Sequence, residues 1–153
     1  MAKEEIFRNP LAGWFLRSLQ AFPVSRQKVS SSTIRKALEV MKRGRVLLLF
    51  PEGTRGDGKT LQRAKPGIAI IAERSGAPLI PVYLHGAERV LPRGSRWFRL
   101  HPVTVSFGAP VFPESSSSSA LGEHKKGHYE DLMSRVMMVV AEMKKNLEQR
   151  KGL

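Results

Sequence analysis

Cysteine is absent from the 153 residues, which excludes a disulfide framework and any thiolate metal site and fits a reducing compartment. Aspartate is nearly absent too, with only Asp57 and Asp131. A magnesium-dependent nucleotide site, which needs an aspartate at a strand end, therefore has little to be built from. Apolar runs are short. None reaches the ~18 residues of a membrane-crossing helix, and the first residues lack the basic-then-apolar pattern of a signal peptide, so any membrane contact is expected to be peripheral. Acid is scarce as a whole: 13 Asp and Glu stand against 26 Lys and Arg, a formal net charge of +13. Such a surface attracts phosphates, acidic lipids or nucleic acid, and it equally suits a merely solvated basic face.

What is present suffices for one domain with a real core, given the length and a hydrophobic share of 41%. Residues 45–65, RVLLLFPEGTRGDGKTLQRAK, organise the rest. Val46, Leu47, Leu48, Leu49 and Phe50 form an unbroken apolar run, which predicts a strand covered on both faces and ended by Pro51. Glu52, Gly53, Thr54, Arg55 and Gly56 then place a carboxylate, a hydroxyl and a guanidinium on a glycine-flanked turn, at the sheet edge where open α/β sheets bind ligands. Taken alone, the loop also fits a capped turn with an exposed Arg and Glu.

Around this stretch the chain alternates helix and strand signals. Asn9 and Pro10 read as an N-cap and first helical residue, followed by Leu11, Trp14, Phe15 and Leu19 at helical spacing. That apolar face is expected to pack on the sheet, with lipid contact as the alternative. Residues 21–24 suggest a short strand. Ile34, Ala37, Leu38 and Met41 mark a second amphipathic helix stopped by Gly44, and Ile68, Ile71 and Ala72 a third stopped by Gly76. Residues 79–83 read as a strand whose Pro81 belongs at an edge or bulge. Val103, Val105 and Phe107 alternate with Thr104 and Ser106, predicting a half-buried strand. Between these strands, Arg89, Arg93, Arg96 and Arg99 interleave with Leu91, Trp97 and Phe98, a mixture suited to an anionic membrane interface or to an ordinary surface loop. A serine run at 115–119 reads as linker, and Leu132, Val136, Val139, Val140, Met143 and Leu147 mark a terminal helix. The expected organisation is a domain over 1–112, a linker over 113–128 and a helix over 129–153.

Gly53, Gly58, Lys59 and Thr60 also satisfy the spacing G-x-x-x-x-G-K-[ST] of a phosphate-binding P-loop. Its lysine should open a long helix, yet Pro66 follows within a turn or two and would break one. The missing aspartate argues against it as well.

Several pieces in order resemble the glycerolipid acyltransferases, the family of 1-acyl-glycerol-3-phosphate (lysophosphatidate) acyltransferases. Phe50-Pro51-Glu52-Gly53-Thr54-Arg55 resembles its signature loop, and Ala21-Phe22-Pro23-Val24-Ser25-Arg26 is similar to its second motif. Ala2-Lys3-Glu4-Glu5-Ile6-Phe7 looks like the segment after its catalytic box. Ala64-Lys65-Pro66-Gly67, Leu79-Ile80-Pro81-Val82 and Phe107-Gly108-Ala109-Pro110 resemble later motifs, so the likeness covers residues 1 to about 112.

The resemblance implies an α/β fold, a mixed sheet with helices packed on its faces as in glycerol-3-phosphate acyltransferases. It implies transfer of a fatty acyl group from acyl-CoA or acyl carrier protein to a lysophosphatidate, without metal or other cofactor, on the cytoplasmic, inner face of a membrane to which the protein binds peripherally. By position, Arg26, Arg55 and Lys65 would bind the glycerol phosphate, with Lys3 a weaker contributor; Glu52 would accept from a glycerol hydroxyl, and Gly53 and Thr54 complete the loop. Guanidinium–phosphate bonds contribute ~1.5–3 kcal/mol each where water is partly excluded. Two departures stand out. Gln20 stands where the second motif usually opens with glycine, and Ser25 where an acid is common. More seriously, the His-x-x-x-x-Asp box that moves the proton is expected upstream of Ala2: His85, His101, His124 and His128 are followed five residues on by Val90, Ser106, Tyr129 and Met133. No catalytic residue is therefore assigned, and loss of such a base lowers rates ~10²–10⁴-fold. The rival readings are a non-catalytic module for phosphate or anionic lipid, a P-loop NTPase, and a nucleic-acid binder resting on charge alone.

Overall fold

The computed structural model describes residues 2–24, 31–53, 60–92, 95, 97–114, 123–150 and 152; for residues 2–5, 24 and 123–126 the backbone alone is described. The chain divides into two compact units, 1–50 and 51–153.

In the first unit, β1 (Ala2–Lys3) pairs in parallel with β2 (Pro23–Val24), Ala2 opposite Pro23 and Lys3 opposite Val24. A 3-10 helix (Glu4–Arg8) leads into α1 (Pro10–Ser18). Asn9 caps α1 as its sequence predicts: the Asn9 side chain accepts from the Ala12 N–H at 3.1 Å. At the other end the chain turns back at Gln20 (φ 57), with Gln20 N–H donating to Arg17 C=O at 2.8 Å and Ala21 N–H to Leu16 C=O at 2.9 Å. This is the paired closure usually made around glycine. The Gln20 side chain accepts from Arg45 Nη1 at 2.6 Å. Helix α2 (Ser31–Lys42) buries Ala37 and ends with the same closure, at Gly44 (φ 67).

Two expectations fail in this unit. The apolar face of α1 does not pack in a core: Leu11, Trp14, Phe15 and Leu19 are all exposed, Trp14 by 69%, and the one buried residue is Gly13. A Cβ at Gly13 would sit 2.9 Å from the Phe7 carbonyl oxygen, so the helix side that approaches its own unit is the glycine side. Nor is the run at 46–50 a covered strand. Val46 is 94% exposed, Leu48 and Phe50 are exposed, and only Leu47 and Leu49 are half-buried. A buried strand exists through its neighbours' N–H and C=O groups, and among the described residues none forms a ladder with this run.

The second unit holds α3 (Gly67–Ser75), β3 (Val82–His85), the short α4 (Ala87–Val90), β4 (Thr104–Phe107) and α5 (Glu123–Arg150). Its core is Ala69 and Ala72 of α3 against Leu132, Met133 and Val136 of α5, ringed by Ala64, Ile68, Leu79, Val111 and Tyr129. Small side chains on α3 admit the larger ones of α5. Gly76 (φ 66) ends α3, as predicted. Strands β3 and β4 are antiparallel, with Leu84 opposite Val105, and Leu79 and Val111 extend the pairing by exchanging hydrogen bonds of 2.9 and 2.8 Å. Pro81 precedes β3, and its C=O accepts from Gly108 N–H at 2.9 Å.

The alternation expected in β4 is present with its faces reversed. Thr104 and Ser106 are half-buried, while Val103, Val105 and Phe107 are exposed. Burial is decided by which face α5 covers, and a Cβ at Gly108, on the Ser106 side, would meet Val139 and Met143 of α5. Arg135 of α5 pairs with Glu114 at 3.2 Å and donates to the Phe112 carbonyl at 3.4 Å, holding the chain beyond β4. The serine run at 115–119 lies outside the described residues.

Candidate functional site

The loop after residue 50 is closed at its base by main chain. Lys65 N–H donates to Pro51 C=O at 3.0 Å, and Gln62 N–H donates to Glu52 Oε2 at 3.3 Å. The two limbs, 51–53 and 60–65, therefore lie side by side. Glu52 is half-buried, and a carboxylate has acceptor sites left after one such bond.

Gly53 is the pivot. Its φ of 65 lies in the left-handed region, and a Cβ there would meet the Lys65 side chain, Cε at 3.0 Å and Nζ at 3.1 Å. The lysine thus passes directly over the glycine, while the Glu52 carboxylate holds the Gln62 N–H of the facing limb. The remainder of residues 60–65 is non-helical, and α3 opens only at Gly67 behind Pro66. A P-loop would have continued from Thr60 as helix, so that spelling carries no P-loop structure here.

Of the seven residues expected to bind substrate, Glu52, Gly53 and Lys65 are brought together by this closure. Thr54, Arg55 and Arg26 lie outside the described residues. Lys3 has its backbone in β1, paired with Val24, and its side chain is not described. Gln62 was not foreseen: it contributes a main-chain N–H, which any residue but proline supplies, so its side chain gave no signal.

Among the described residues no histidine joins this cluster with an acid beside it. His85 closes β3 opposite Thr104 and stacks obliquely on Tyr83, ring centres 6.5 Å apart. His101 instead lines a separate cavity of about 440 Å³ with Glu88, Arg89, Pro92, Arg99 and Leu100. Among the described residues no group of His, Asp and Glu could hold a metal ion, and no helix is long and apolar enough to cross a membrane.

Residues 1–85 match the family model described as Acyltransferase. The chain is 33% identical over 112 residues to a 1-acyl-sn-glycerol-3-phosphate acyltransferase of Bacillus subtilis, covering 72% of this chain and 53% of that protein. It is 34% identical over 112 residues to the enzyme of that name in Streptococcus pneumoniae, covering 72% and 39%. Its structure is similar to the crystal structure of the 1-acyl-sn-glycerophosphate (LPA) acyltransferase PlsC from Thermotoga maritima, with a TM-score of 0.72 and 29% identity over 96% of this chain and 55% of that one. The fold is thus of the same mixed α/β kind. The chain spans about half the length, or less, of these relatives.

Proposed function

Since this chain belongs to the acyltransferase family, we propose that it supplies the acceptor-binding part of an enzyme transferring a fatty acyl group from acyl-CoA or acyl carrier protein to the free hydroxyl of 1-acyl-glycerol 3-phosphate, in phospholipid biosynthesis. The observation that carries this reading is the closure of the loop: Lys65 laid over Gly53, its main chain bonded to Pro51, and the Glu52 carboxylate bonded to the Gln62 N–H of the same limb.

In this reading the Lys65 ammonium meets the glycerol phosphate, joined by Arg55 and Arg26, with Thr54 in the same loop and Lys3 as a further cation. Glu52 accepts from a glycerol hydroxyl and fixes which oxygen faces the acyl donor. Gly53 keeps the loop free of a side chain where Lys65 must pass. The acyl group needs no resident cofactor: the donor is a substrate, and the attacking oxygen loses its proton to a base. The family's His-x-x-x-x-Asp pair is not among these 153 residues, so the chain by itself should bind acceptor and turn it over ~10²–10⁴-fold more slowly than an enzyme holding the pair. Its place of work is a membrane surface, bound peripherally on the cytoplasmic side.

Calorimetric titration with a short-chain lysophosphatidate, kept below its micelle concentration, tests the assignment. Lys65→Ala should weaken binding about tenfold or more, in keeping with a charged hydrogen bond of ~1.5–3 kcal/mol, and Glu52→Gln should weaken it less. Unchanged affinity in both variants would remove the loop from the site. Binding accompanied by no transfer, even after an upstream His-x-x-x-x-Asp segment is supplied, would favour a non-catalytic lipid-binding module.

A further inference from the structure

Between α4 and β4 the chain presents a second chemical surface, separate from the Glu52–Lys65 loop. Leu100, Trp97 and Phe98 are 107%, 83% and 78% exposed. Described hydrogen bonds tie this stretch to the residues around it. Ser95 N–H donates to Pro92 C=O at 3.0 Å, the Ser95 hydroxyl bonds both the C=O and the N–H of Trp97 at 3.0 and 3.2 Å, and Arg99 N–H donates to Val90 C=O at 2.8 Å. Gly86, buried at the root of the segment with φ 86, lets the Pro102 carbonyl approach where any Cβ would collide with it.

Beside the apolar tip lies the cavity of about 440 Å³ lined by Arg89, Arg99, His101, Leu100, Pro92 and one acid, Glu88. Because the Pro102 carbonyl only accepts, His101 Nδ1 donates to it at 2.9 Å, and Nε2 lies 3.5 Å from Arg89 Nη1. Arg89 also pairs loosely with Glu88, at 3.8 Å. Arg99 has no ion-pair partner among the described residues. Exposed rings and a leucine next to two guanidinium groups against one carboxylate suit a bilayer surface, where apolar groups enter the acyl boundary and cations meet phosphates. The net charge of +13 favours the same partner.

We propose that Trp97, Phe98 and Leu100, with Arg89 and Arg99 at their edge, form the seat of this protein on an anionic phospholipid bilayer. The proposal deepens the functional reading only in taking a membrane as the workplace; it assigns the seat to residues outside the acceptor loop. Tryptophan reports it directly, because the chain holds only two, Trp14 and Trp97. In a Trp14→Phe variant, Trp97 emission should shift to the blue on adding phosphatidylcholine vesicles containing phosphatidylglycerol, and should stay put with phosphatidylcholine alone. A Trp97→Ser/Phe98→Ser/Leu100→Ser variant should sediment with the anionic vesicles about tenfold less strongly, with unchanged thermal melting. Arg99→Glu should lose roughly fivefold or more, and salt should shrink that loss.

Acyl transfer, measured separately with the acceptor in detergent micelles, keeps the two ideas apart. With an upstream His-x-x-x-x-Asp segment supplied, vesicle binding that depends on residues 97–100 but comes without transfer leaves the seat standing and removes the enzyme reading; transfer with vesicle binding independent of these residues does the reverse. The seat is overturned if the protein binds vesicles while Trp97 emission stays fixed, or if the triple variant binds as well as the parent. Displacement from vesicles by inorganic phosphate at constant ionic strength would also overturn it, since the cations would then be reading free phosphate.

Discussion

Helices α1 and α5 both carry an apolar stripe, and they are held in place by opposite means. Helix α5 is held by its face: Leu132 is fully buried, and Met133, Val136 and Val140 are nearly so, with the α3 alanines, Leu79 and Val111 packed in the same core. Helix α1 is held by its ends, through the Asn9 cap and the Gln20 closure, while its larger apolar side chains stay in solvent. Nine residues are too few for a helix to persist on propensity alone, so those caps and the tight fit at Gly13 carry α1. A stripe states which side of a helix is apolar; what lies across from it is decided elsewhere in the chain.

The sharpest way to break this comparison is to remove one large side chain from each helix. Leu132→Ala leaves a cavity in packed surroundings and should lower stability by ~2–5 kcal/mol, read as a shift of the urea midpoint at unchanged slope. If Leu11→Ala, on the exposed stripe of α1, cost as much, the contrast between face and ends would be wrong. For α1 the matching loss is the cap. Asn9→Ala removes the acceptor for the Ala12 N–H and should cost about 1 kcal/mol, with loss of helical circular dichroism confined to a few residues.

Alkali probes α5 again. Tyr129, on α5, has its pKa raised by burial and by its hydrogen bond to Glu73 of α3; Tyr83 is raised by burial, then by the Glu148 and Glu88 carboxylates. A raised folded-state value favours the neutral phenol, so these contributions are complete below the ordinary tyrosine value of 10.0 and are lost as pH climbs through the folded value. Since the chain has only two tyrosines, ultraviolet titration reads both, and both should ionise later in the folded protein than after unfolding. Titration of either at the ordinary value would show that its phenol is not held in the surroundings described.

Local signals account for most of what was legible in the sequence. Asn9-Pro10, Gly44 and Gly76 mark helix ends because caps are settled within a few residues, and all three act as expected. The loop motif likewise places Glu52, Gly53 and Lys65 in one stretch, and the structure closes that stretch on itself. Nonlocal pairing was illegible. Five apolar residues at 46–50 say nothing of whether strands flank them, and the alternation in β4 fixes two faces without saying which one α5 covers. The Gln62 N–H on Glu52 was hidden for a different reason, since main-chain donors leave no mark on residue identity.

Gln20 tests how much of α1's closure comes from side-chain chemistry. In the left-handed region a non-glycine residue carries a penalty of roughly 1–2 kcal/mol, here opposed by the hydrogen bond from Arg45 at 2.6 Å. Gln20→Ala keeps the penalty and deletes the bond, so it should destabilise by ~0.5–1.5 kcal/mol. Gln20→Gly deletes both and should come out near the parent, within about 1 kcal/mol. Equal losses in the two variants would mean that Gln20 acts through its side chain alone and that the backbone there is unstrained.

The smallest effect is the most telling for the comparison. Replacing Trp14 by serine removes the largest side chain of α1, yet the ring is mostly in water, so little burial is lost and the change in stability should stay within ~0.5 kcal/mol. The same ring at the buried positions of α5 would be worth several times that. Chemical denaturation followed by helical circular dichroism rather than fluorescence checks it, because the substitution deletes one of the two tryptophans. A loss above about 2 kcal/mol would place Trp14 inside a packed core. Helix α1 would then be held by its face after all, and the distinction from α5 would collapse.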